Sequence, residues 1–153
     1  MKNIKLKKKE SFNKAAFIFI YKKNKAVINL INKYLRKDSI ENLHYLRIGI
    51  RRLRYSMELF YSFFDYKLVM NIYNTAKYLQ DLVGAGRDLD VIKLKLEKYQ
   101  EENNINIPIT LFEKIESDIK YHRKNIKREL RKFLNSKDIK KLLLKNIEVK
   151  NET

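Results

Sequence analysis

The sequence has no cysteine and no tryptophan, one proline and three glycines in 153 residues. Without cysteine there is no disulfide, no thiolate metal site and no thiol nucleophile, which fits a reducing compartment and sets the expected location as the cytoplasm. So few glycines and prolines leave the Lys-, Leu-, Ile- and Glu-rich runs almost unbroken, a composition that favours helices over short strands joined by tight turns. The expected class is all-α, an antiparallel helical bundle of about five to six helices. No run of 18 apolar residues occurs, so no membrane span is expected. The short apolar stretch from Ala15 to Tyr21 is followed by Lys22, Lys23 and Lys25 with no small-residue cleavage site, so no signal peptide is expected either.

Acidic residues are also few, 18 against 35 Lys or Arg, a formal net charge of +17. Self-repulsion of that size opposes folding unless a partner relieves it, and a polyanion is the expected partner. The charge is uneven, since residues 1–60 hold 16 basic residues against 4 acids.

Helical patterns follow one another along the chain. A first amphipathic run extends from Glu10 to Arg36, with Phe12, Ala16, Phe19, Val27, Leu30, Ile31 and Tyr34 at helical spacing. Asp38 with Glu41 reads as a capping box for a second helix from Ser39 to Phe64, with a bend at Asp65. A third helix is expected from Lys67 to Val83. Gly84-Ala85-Gly86 reads as the strongest internal break, with a fourth helix starting at Arg87 and capped by Asp88. Glu101 to Pro108 reads as a loop. Thr110 with Glu113 reads as a capping box for a helix to Asn135, and Ser136 as the cap of a short helix ending near Lys145. Residues 10–147 thus form one expected helical unit between a basic tail, 1–9, and a frayed tail, 148–153.

The densest signal lies between His44 and Arg54. At about 100° per residue, Leu43, Leu46, Ile50, Leu53, Met57 and Phe60 share one face, while His44, Arg47, Arg51 and Arg54 fall in an adjacent stripe about 80° wide and roughly 15 Å long. The chain uses 26 Lys and only 9 Arg, yet 4 of those Arg lie between positions 47 and 54, where there is no Lys. A guanidinium can grip two oxygens of one phosphate and an ammonium cannot, so the choice points to oxyanion recognition. Arg52 stands off the stripe and is expected to bond an acid on a neighbouring helix. Farther on, Asp90 is expected to pair with an arginine of this stripe, and Arg87 to join the anion site. Lys120, Lys124, Lys127 and Arg131 form a further basic stripe at helical spacing.

No nucleophile stands beside a base, no paired carboxylates sit in an apolar frame, and no phosphate-loop glycine pattern occurs. Binding rather than catalysis is expected. The two histidines, His44 and His122, are far apart and neither has a second ligand at i+3 or i+4, so no metal or other cofactor is expected. The charge alone suits nucleic acid as well. However, no helix-turn-helix, RNP or zinc pattern is present, and Phe60, Tyr61, Phe63 and Phe64 read as core rather than as a base-stacking platform.

Taken together, His-x-x-Arg-x-x-x-Arg-Arg-x-Arg at 44–54 and Gly-x-x-Arg-Asp-Leu-Asp-Val at 84–91 resemble the CHAD family, the conserved histidine α-helical domains. The resemblance implies an all-helical fold whose basic surface binds inorganic polyphosphate without catalysis. The matching residues, His44, Arg47, Arg51, Arg52 and Arg54, would contribute to that surface. A typical member has two similar bundles and this chain resembles the first, so a homodimer that rebuilds a two-bundle site is expected.

Overall fold

Helices account for nearly all of residues 12–63 and 66–143, the part of the chain described by the computed structural model. Both tails, the expected first helical residue Glu10, Phe64, the bend at Asp65 and the expected helix end at Lys145 lie outside it. Helix α1 spans Phe12–Arg36, α2 Ile40–Phe60 with a single 3-10 turn after it, Tyr61–Phe63, α3 Tyr66–Asn103, α4 Ile109–Asn135 and α5 Lys137–Leu143. None is long and apolar enough to cross a membrane.

Each long helix runs antiparallel to the one before it. Phe19 meets Phe60 and Lys33 lies over Tyr45, which fixes α1 against α2. The Tyr73 hydroxyl donates to Glu58 at the far end of α2, while Gly86 faces Leu43 near its start, which fixes α2 against α3. Lys93 reaches Glu116 and Gly86 faces Ile126, which fixes α3 against α4. Asn71 of α3 donates to Asp138 of α5, closing the same end.

The core fills from one face of each helix. Leu43, Leu46, Ile50, Leu53 and Met57 of α2 are all buried, as the periodicity predicts, against Ile20, Val27, Ile31 and Tyr34 of α1 and Ile72, Ala76, Leu79 and Val83 of α3. Phe19 and Tyr61 belong instead to the surface, 42% and 52% exposed.

The helix ends differ from the sequence reading in three places. The N-cap of α2 is Ser39, whose hydroxyl accepts from the Asn42 amide. Asp38 does not cap, because Lys127 holds its carboxylate from α4. At α4 the cap position is Pro108, with no side-chain cap bond from Thr110. The largest difference is at Gly84-Ala85-Gly86, where α3 runs through without a break and no glycine takes positive φ. The glycines are there for proximity: a Cβ on Gly86 would stand 2.7 Å from Ile126 Cδ1, so its absence lets α3 and α4 approach. Asp88 is therefore an interior helical residue and not a cap. The real stop lies at Asn104, the left-handed residue with φ 51°, where the Ile105 amide reaches back to the Gln100 carbonyl in a Schellman closure.

Candidate anion-binding seam

Burial of the Leu43 to Met57 face decides where the rest of α2 points. His44, Arg47, Arg51 and Arg52 are exposed and Arg54 is half-buried. The stripe borders α3: the Cβ position of Gly84 lies 3.7 Å from Arg47 Nε, so the guanidinium rests over a stretch of α3 with no side chain. Gln80, Gly84 and Arg87 follow at helical spacing and form the opposite bank of this seam. Arg87 is half-buried and its Nη1 has no partner among the described residues, nor has Gln80 Oε1. A buried guanidinium nitrogen without an acceptor is costly, and an oxyanion in the seam would supply one.

Charges along the stripe are not equally free. His44, Arg47 and Arg51 make no ion pair among the described residues. Arg54 does: its Nε lies 3.2 Å from Glu58 Oε1, and its guanidinium carbon stands 5.3 Å from the Tyr55 ring centroid. Arg52, expected to bond an acid, makes no ion pair among the described residues, and its carbonyl accepts from the Ser56 hydroxyl.

The basic stripe of α4 belongs to a second place. Lys120, Lys124 and Lys127 line a groove of about 580 Å³ beyond the start of α2, together with Asp38, Glu97 and Glu116. None of His44, Arg47, Arg51, Arg54 and Arg87 lines it. Lys127 Nζ is 2.6 Å from Asp38 Oδ2, and its hydrogen bond holds the Asp38 carboxyl below the usual carboxylate range. Arg131 is exposed one turn farther along α4.

At the floor of the groove Asp90, 2% exposed, meets Arg123 Nη2 at 3.1 Å. Its partner is thus on α4 and not the α2 stripe, because the continuous α3 turns Asp90 toward α4. Tyr34 lies close enough to feel both charges, and burial pushes its phenol up to about 12 against the opposing pull of Arg123. Among the described residues no group of three His, Asp or Glu could hold a metal ion.

Sequence reading missed Gln80. It stands four residues before Gly84 and seven before Arg87, a signal hidden by placing a helix break at the glycines.

The CHAD domain family model matches residues 4–91 and also residues 35–150. The two ranges overlap across both of the motifs at 44–54 and 84–91. No curated protein and no solved structure matches the chain.

Proposed function

From the chain's membership of the CHAD family, shown by a match over most of its length, we propose that it binds inorganic polyphosphate along the α2–α3 seam and performs no chemistry on it. The observation that carries this reading is the set of exposed hydrogen-bond donors at His44, Arg47 and Arg51, about one turn apart and without carboxylate partners among the described residues. Such a row matches a flexible chain that presents a charge at every unit, and each guanidinium that replaces counterions contributes to affinity.

Arg87 supplies a deeper contact through its unpartnered Nη1. Arg54 contributes less, since a ligand must compete with Glu58 for it. Arg52 lies off the seam and adds only to the general field. Lys120, Lys124, Lys127 and Arg131 form an auxiliary surface for longer chains, weakened by the acids among them.

Competition tests the reading. Labelled polyphosphate should be displaced by unlabelled polyphosphate far more effectively than by DNA or RNA at equal phosphate concentration, and its affinity should fall steeply with added salt. Displacement by DNA at equal phosphate would instead make nucleic acid the ligand. Affinity unchanged by salt would remove the electrostatic basis altogether.

A further inference from the structure

Beyond the Asp90–Arg123 pair, α3 and α4 leave the bundle together. Residues 91–122 form an αα-hairpin whose α3 arm, Val91 to Asn103, extends about 20 Å. Ile115 is the only buried residue among the described residues 91–122. Large apolar side chains stay open instead: Ile92 is 47% exposed, Leu94 46%, Ile109 73% and Leu111 42%. Ile92 and Leu94 stand about 200° apart on α3, as Ile109 and Leu111 do on α4, so the two helices leave apolar side chains open on more than one side of the hairpin, and such side chains favour a contact that covers them.

The charge of this hairpin says what can cover it. Residues 91–122 hold five Lys and six Asp or Glu, a net charge of −1 on a chain of +17, which leaves +18 on the rest. Three of those lysines are already paired, Lys93 with Glu116, Lys98 with Glu102 and Lys114 with Asp118. Over the rest of the chain a second copy on average meets like charge, which disfavours association. At the hairpin it meets an apolar surface with no net repulsion.

We propose that this hairpin is a homodimer interface, hairpin against hairpin about a twofold axis, closing a four-helix arrangement from two projecting arms. The pairing leaves the α2 stripe of each copy outside the contact, so it needs no polyanion to neutralise it. It stands independently of the polyphosphate reading.

Light scattering on the full chain without polyphosphate tests this. The parent should have twice the 18.6 kDa chain mass at micromolar concentration. Two double variants, Ile92→Glu with Leu111→Glu and Leu94→Glu with Ile109→Glu, alter only exposed positions, and at least one should halve that mass. A control at the other end of the molecule, Leu59→Glu with Tyr61→Glu, should leave it unchanged. Thermal melts of the variants report folding, and polyphosphate titration should give parental affinity for Ile92→Glu with Leu111→Glu and for the control, neither of which lines the α4 groove. A monomeric parent, a dimer that survives in both hairpin variants, or a dimer lost equally in the control would each overturn the proposal. Loss of polyphosphate binding in the control and parent alike would strike the seam reading and leave this one standing.

Discussion

Helices α2 and α4 each carry a row of basic residues at helical spacing, and on paper the rows are interchangeable. In the fold they face different neighbours. The α2 row looks across a glycine to Gln80 and Arg87, with no carboxylate paired to His44, Arg47 or Arg51 among the described residues. The α4 row looks onto Asp38, Glu97 and Glu116, and Lys127 is already engaged. Periodicity fixes the geometry of a charged stripe, whereas the residues of the next helix decide whether its charges are free. A polyanion approaching α4 must first compete with acids; one approaching α2 need not.

Removing charge from each row is the strongest way to break this distinction. Arg47→Ala with Arg51→Ala should weaken polyphosphate binding by roughly 3 to 6 kcal/mol, about 1.5 to 3 for each charge-assisted hydrogen bond to the ligand. Isothermal calorimetry measures it, and an equal loss from the α4 row would erase the difference between the two. Arg47→Lys with Arg51→Lys keeps the charge but loses the fork, and a drop of about 1 to 3 kcal/mol is expected. Parental affinity in that variant would mean the stripe acts only as a cloud of charge.

Lys120→Ala with Lys124→Ala should cost under about 1 kcal/mol, with most of the change disappearing at high salt, as for exposed charges in general.

The smallest effect concerns the pairing itself. Asp38 has its carboxyl depressed by the Lys127 hydrogen bond, so the unfolded chain takes up its proton first as pH falls. The pair's contribution is complete above the ordinary Asp range and is lost as pH falls through the depressed folded value. With the Asp38 side chain 39% exposed the contribution is a few tenths of a kcal/mol after screening. Urea unfolding of the parent and Asp38→Asn should therefore differ slightly at neutral pH and converge in acid. A gap that persists in acid would mean the carboxylate charge is not what stabilises the turn.

Much of this was legible in the sequence because it depends on local repetition. The all-α class, the buried face of α2 and the adjoining exposed stripe all follow from spacing along one helix. What was not legible depends on distant neighbours. Gly84 and Gly86 read as a break because glycine usually punctuates, yet their role depends on Arg47 and Ile126, which lie on other helices. Asp90 found its partner 33 residues away in Arg123, in place of the α2 arginines, once the helix ran straight through. At α2 the cap moved by a single residue from Asp38 to Ser39, since the acid had a better use across the bundle.

The unbroken course of α3 has a consequence for its amide protons. Its 38 residues share one ladder of backbone hydrogen bonds, but buried apolar side chains stop at Val83 and the last buried residue is Asp90. A single helix therefore spans two regimes of local opening: the stretch from Ile72 to Gly86 exchanges only when the bundle unfolds, while the stretch from Leu94 to Asn103 opens by fraying from its tip. Hydrogen–deuterium exchange should show this as a step in protection near Asp90 within one continuous helix. If the hairpin pairs with its copy, the step will shrink as protein concentration rises, so that the more labile end of α3 becomes a reporter of association.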